Sequence, residues 1–185
     1  MVTARDVLAG LLEAYRPRDE VETAHVTRVR ALIGTTDDPW CRATPLHVTA
    51  SALIVHPQTQ RVLLRWHQRQ RAWLQVGGHA DPGESDPLAV ALREGREETG
   101  LDDLVPWPHP DLLHVVIVPV SAGKGEPAHE HADLRFLLAT DSPERARPEN
   151  PGAELRWLSF AEARATTTEP NLRESLSRAE QLLVG

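Results

Sequence analysis

The 185-residue sequence predicts a single α/β or α+β domain. Segments of strand period stand on both sides of one glycine-bounded helical stretch at 87–99, and amphipathic helical patterns occupy both ends of the chain. The length suits one domain with a full core and leaves too little for two independent ones.

Residues 3–15 place Val7, Leu8, Leu11, Leu12 and Tyr15 at helical spacing, with Thr3 and Asp6 available as a cap. After Pro17, a second helix runs from Glu20 to Ile33 through Val21, His25, Val29, Leu32 and Ile33, and Gly34 is expected to end it. His25 sits among apolar residues and is expected to pack. Such a hairpin covers either a sheet edge or a subunit interface, so a homodimer enters the expectations here. Residues 35–45 have turn chemistry and read as a linker. From there the period changes. Leu46 to Val55 is rich in β-branched residues, a turn follows at 56–60, and Arg61 to Trp66 alternates, so a β-hairpin is predicted. His47, Thr49 and Ser51 share one face, which lines a polar cleft or faces solvent.

A polar loop at 67–71 leads through Trp73 to Val76 into a double glycine. Beyond the central helix, a proline-rich connection at 103–110 precedes a strand over 112–120 and a loop over 122–127. His129, His131 and Asp133 then alternate on a strand that continues into Leu134, Phe136, Leu137 and Leu138, and would point the same way. Contact with substrate or structural hydrogen bonding is expected of this trio rather than metal ligation. A charged loop at 141–152 precedes a strand at 155–158, Ser159 and Glu162 form a capping box, and Leu172, Leu176, Ala179 and Leu183 define a last helix. Trp66, Trp73, Trp107 and Phe136 read as core residues that could also stack a base.

Acidic residues outnumber basic ones, 27 to 20, and the net charge of −7 gives no footprint for a nucleic-acid backbone. A small-molecule partner is favoured. The single cysteine, Cys41, excludes an internal disulfide framework and fits a reducing cytoplasm. No apolar signal region and no run of 18 apolar residues is present, so no membrane partner is expected and a cytoplasmic location is.

The chemistry concentrates in Gly77 to Leu101, GGHADPGESDPLAVALREGREETGL. Asp86 is a good N-cap, Pro87 fits the first helical position, and Gly100 stands where a left-handed cap is expected. Leu88 and Leu92 are expected to face the core, with Glu94, Glu97 and Glu98 together on another side. Three carboxylates near a helix C-terminus repel one another and oppose the macrodipole. A hard divalent cation resolves that, since Mg²⁺ takes oxygen ligands and completes its shell with water and phosphate. The alternative is a solvated acidic helix end, but Gly77, Gly78 and Gly83 let the preceding backbone approach a ligand, and Glu84 follows at once.

Gly78, Glu84, Arg93, Glu94, Glu97, Glu98, Gly100 and Leu101 together resemble the Nudix box, G-x5-E-x7-R-E-U-x-E-E-x-G-U with U aliphatic. Two features depart from it. Eight residues separate Glu84 from Arg93, and Gly95 replaces an aliphatic residue, at a cost of about 1 kcal/mol in helix propensity. The resemblance implies a Nudix α/β/α sandwich of mixed sheet over residues 45–185, with residues 1–44 as a helical extension and linker. It also implies Mg²⁺-dependent, or Mn²⁺-dependent, hydrolysis of nucleoside diphosphate-linked or related diphosphate compounds. Glu94, Glu97, Glu98 and the Gly77 carbonyl would hold the metal, Arg93 would position a glutamate, and Glu94 or Glu149 would act as base. Arg65, Arg71, Glu84 and His131 are expected at the substrate, because guanidinium groups match phosphate oxygens. Other members of this fold bind ADP-ribose-like ligands as regulators. The related isopentenyl-diphosphate isomerases need a cysteine in the cleft, whereas Cys41 lies in the linker.

Overall fold

The computed structural model describes residues 3–123, 125 and 127–184. Lys124 and Glu126, part of the loop expected over 122–127, lie outside the described residues. In chain order the elements are α1 (Ala4–Ala14), α2 (Glu20–Thr35), β1 (Leu46–His56), β2 (Arg61–His67), β3 (Ala72–Leu74), β4 (Val76–Gly78), α3 (Pro87–Thr99), β5 (Val105–Pro106), β6 (His114–Val120), β7 (His129–Ala139), β8 (Leu155–Ser159), α4 (Phe160–Thr166) and α5 (Pro170–Val184). The eight strands form one mixed sheet.

Strand β1 is its spine. It pairs in parallel with β7 from Leu46 opposite Glu130 to Val55 opposite Ala139. Its other edge is shared between two antiparallel partners: β2 holds Ile54 to His56, and β4 holds Ala50 to Ala52. Val48, Ala50, Ala52 and Ile54 face α3 and pack with Val90 and Ala91, whereas Leu53 and Val55 face the other way, onto Phe160 of α4 and Leu172 and Leu176 of α5. Alternation along one strand therefore produces a three-layer α/β/α sandwich.

Local signals explain the helix ends. Thr3 and Asp6 cap each other at α1, and Ser159 and Glu162 do the same at α4. Asp86 accepts from the Leu88 N–H at the start of α3, Pro87 takes the first position, and Gly100 closes the helix at φ 67°. Gly34 does not end α2, which runs on to Thr35 and is closed when the Thr36 N–H reaches the Leu32 carbonyl.

The buried stripe of α2 is Glu22, Val26, Val29 and Ile33, while Val21 is exposed and His25 only half-buried. This differs from the expected stripe by one residue, because a charge occupies the inward position. Glu22 accepts hydrogen bonds from Arg178 of α5 at 2.7 and 3.1 Å, from Tyr15 and from the Arg18 backbone. That ion pair ties α2 to α5, while Leu8, Leu12, Val26 and Val29 join the core on the α3 side of the sheet. No helix among the described residues is long and apolar enough to cross a membrane.

Candidate active site

Two glycines bring backbone and carboxylate together. Gly77 has φ 149°, and a Cβ there would lie 2.4 Å from the Cβ of Ser51 on β1. At Gly78 a Cβ would lie 2.4 Å from Glu94 Oε1, so the missing side chain makes room for that carboxylate against β4. Gly95 lets α3 lie close to its neighbours: a Cβ there would be 2.8 Å from Leu104 and 3.7 Å from Ile54 of β1 and Leu138 of β7. The face of α3 that meets the sheet is consequently Val90, Ala91, Gly95 and Glu98, with Leu88 and Leu92 only partly buried beside it. Small residues at 91 and 95, rather than the leucines, set the rotation of the helix.

Two arginines organise the acids. Arg93 donates from Nε to Glu84 at 3.0 Å and from Nη1 to Glu94 at 3.0 Å and Glu97 at 2.9 Å. Its Nη2 reaches Glu84 at 3.0 Å and the His79 carbonyl at 2.8 Å. The extra loop residue therefore leaves Glu84 within reach of Arg93, where that guanidinium holds its carboxyl below the usual range. Arg65 on β2 pairs with Glu98 at 3.2 Å and, through Nη2, with Glu149 at 3.1 Å. Its buried Nε has no acceptor among the described residues. Glu98 also accepts the Gly77 N–H at 3.1 Å.

Burial pushes the Glu98 carboxyl up to about 7, against the opposing pull of Arg65, and burial likewise raises Glu94. These are oxygen donors held partly out of water at excess negative charge, and as a donor set they fit a hard divalent cation. They are spread over two guanidinium groups rather than closed into a cage. One consequence is measurable. A cation at Glu98 must displace its proton, so Mg²⁺ affinity should fall by up to about tenfold per pH unit below pH 7. Calorimetric Mg²⁺ titration at pH 8 and pH 6 checks this, and equal affinities would contradict it.

The structure thus brings together Glu84, Arg93, Glu94, Glu97, Glu98, Gly77, Arg65 and Glu149. Arg65, expected at phosphate, spends both terminal nitrogens on Glu98 and Glu149. Arg71 is exposed in the turn after β2 at φ 51° and makes no hydrogen bond with these groups. Thr49 and Ser51 neither line an open cleft nor face solvent: both are buried and donate to Asp133, which also accepts from Gln75 and Arg135. With those donors Asp133 is committed to the sheet. Phe136 is 1% exposed and belongs to the core, and Trp73 lies against Trp66 and under Arg156.

His131 keeps other company. It lies among His47, His79 and His129, with ring centroids 4.8 to 5.0 Å from it. Burial, with Arg42 and the other three histidines, pushes the His79 imidazole down to about 3, so that ring is neutral at pH 7. His79 has no periodic partner in the sequence that would mark it. Its one sequence signal is its position directly after Gly77 and Gly78, which β4 places beside β1.

A family model described as the NUDIX domain matches residues 45–179. A Lactococcus lactis subsp. cremoris (strain MG1363) protein named "Probable DHNTP pyrophosphohydrolase" is 32% identical over 106 residues, 57% of this chain and 61% of that protein. The matched region thus spans about three fifths of that relative's length. Among solved structures, a C. elegans Ap4A hydrolase binary complex aligns with TM-score 0.59 at 21% identity, covering 75% of this chain and 98% of the other. The E. coli dihydroneopterin triphosphate pyrophosphohydrolase aligns with TM-score 0.56 at 21% identity, covering 76% and 96%. These two likenesses establish the shared fold.

Proposed function

The chain belongs to the NUDIX domain family, and from that premise we propose that it is a Mg²⁺-dependent pyrophosphohydrolase. Its substrate is a small nucleoside diphosphate-linked or related diphosphate compound, cleaved at a phosphoanhydride bond. The observation that carries this reading is the way Arg93 gathers Glu84, Glu94 and Glu97 while Arg65 and the Gly77 N–H fix Glu98.

Glu94, Glu97, Glu98 and the Gly77 carbonyl would hold the cation. When bound, it neutralises diphosphate charge and lowers the pKa of a water molecule. Arg93 acts through the carboxylates, keeping Glu94 and Glu97 turned toward one place and Glu84 at the loop. Glu149 is 37% exposed at its side chain and tethered to Arg65, so it can meet solvent without leaving the site. It is the residue assigned to take the proton from the attacking water.

The relatives put dihydroneopterin triphosphate and Ap4A on the test panel, beside nucleoside triphosphates, sugar nucleotides and ADP-ribose. Incubation with Mg²⁺ and phosphorus NMR of the products should reveal at least one substrate split at a phosphoanhydride. Tight binding of a panel member with no product from any would favour a regulatory ligand-binding module instead.

A further inference from the structure

The four-histidine cluster lies beside the carboxylates yet shares no side chain with them. His47 on β1 and His131 on β7 are direct Cα partners across the parallel ladder, and His129 precedes His131 by two on the same face. His79 follows β4 immediately, and β4 pairs with β1. The ligand atoms of His47, His79 and His131 lie within 4.8 Å of one another, which no other trio of histidine, cysteine or carboxylate groups among the described residues matches.

The outer nitrogens are specific. His47 Nδ1 stands 3.1 Å from the Thr44 carbonyl, and His129 Nδ1 stands 2.9 Å from the Pro127 carbonyl. A carbonyl only accepts, so each Nδ1 carries a proton, and it is Nε2 that each ring presents to the cluster as its possible ligand atom. Orientation of a ligating imidazole by a backbone carbonyl on its other nitrogen is the usual support of metal-bound histidine. Inside the cluster, Nε2 of His47 and Nε2 of His79 are 3.1 Å apart, as are those of His129 and His131. Two nitrogens each bound at 2.0–2.1 Å on a tetrahedral ion stand roughly 3.3 Å apart, so both pairs already have nearly the spacing of two ligands on one centre.

We infer that His47, His79 and His131 form a second metal site for one divalent transition ion of the Zn²⁺ class, with His129 beside them, its Nε2 3.1 Å from that of His131. An all-imidazole donor set suits a borderline ion and disfavours Mg²⁺, so this site and the carboxylates select different metals. Its nearness to the carboxylates has a structural route. The His79 carbonyl accepts from Arg93 at 2.8 Å, so an ion on the His79 ring also steadies the loop that Arg93 grips. The inference does not depend on which substrate is cleaved, or on cleavage at all.

The test uses the full chain carrying Glu97→Gln and Glu98→Gln, which takes away two of the three carboxylates that would otherwise compete for the ion. Calorimetric titration with ZnCl₂, and with CoCl₂ read by visible absorption, should show one ion per chain and the intense bands of a tetrahedral site. Zn²⁺ should bind with a micromolar or tighter Kd. Substitutions His79→Gln and His131→Gln, both at half-buried positions, should each weaken Zn²⁺ by at least about 100-fold. The exposed His109→Gln should leave it unchanged. Absence of stoichiometric Zn²⁺ binding in the parent, or undiminished affinity in both histidine variants, would overturn the assignment.

Discussion

Glu97→Gln and Glu98→Gln should each lower kcat for the true substrate by at least about 100-fold at saturating Mg²⁺, with the fold retained. The two changes act on different surroundings, and their side effects differ accordingly. Glu97 has a side chain 57% exposed and pairs, among the described residues, with Arg93, so its amide keeps one acceptor for that guanidinium and stability should move by less than about 0.5 kcal/mol. Glu98 is 8% exposed and faces two donors, the Gly77 N–H and the Arg65 guanidinium. An amide offers one oxygen and one NH₂, so one of those donors loses its acceptor, at a cost of about 1–3 kcal/mol. Circular dichroism should report folded protein in both cases, and stopped product formation in both is the expected result. Turnover that survives either change at the parent rate would remove that carboxylate from the reaction.

The largest loss of stability is expected far from the carboxylates, at Arg178→Met. Arg178 and Glu22 are each 1% exposed, and Glu22 is further held by Tyr15, the Arg18 N–H and the Val115 N–H. Removing the guanidinium strands a buried carboxylate, which costs about 3–5 kcal/mol. For a chain of this length that corresponds to a fall in Tm of roughly 10 °C. The paired change Glu22→Leu with Arg178→Met removes both charges and should recover most of the loss, because the penalty comes from the unpaired charge. A thermal melt of the single and double variants separates these outcomes, and equal melting temperatures for parent and single variant would show that the pair contributes nothing.

Sequence period was sufficient for much of this architecture. The Asp86, Pro87 and Gly100 signals bound α3 at the residues where the structure begins and ends it, and the change of period at 46 marked β1. What period could not supply was the identity of the inward face where a polar residue occupies it. Glu22 reads as a surface charge until its partner, 156 residues away in the chain, is known, and so the stripe of α2 was displaced by one residue. Thr49, Ser51 and Asp133 posed the same difficulty, since a buried hydrogen-bonded network and a polar surface have identical alternation. On α3 the leucine spacing points to Leu88 and Leu92, although Ala91 and Gly95 form the face against the sheet because they are small.

The site was legible to the extent that it is local. Arg93 and four of the acids lie within one helix and its loop, and their spacing revealed them. Glu149 is suggested in the sequence only by its charged loop, and the structure sets it on Arg65 of β2. The histidine cluster depends on β1, β4 and β7 lying side by side, a juxtaposition that only the sheet order creates. His131 was visible as one of an alternating pair, but His47 and His79 become its neighbours through pairings that no spacing in the sequence encodes.

The most direct test of the central claim is Mn²⁺ binding followed by electron paramagnetic resonance, with parent and Glu97→Gln/Glu98→Gln chains titrated side by side after loading with one equivalent of Zn²⁺ per chain, which occupies the nitrogen-rich site and leaves no excess to compete with Mn²⁺. The account predicts bound Mn²⁺ in the parent and a loss of at least about tenfold in affinity in the double variant. Equal Mn²⁺ binding by both chains would contradict the assignment of these carboxylates as the metal site.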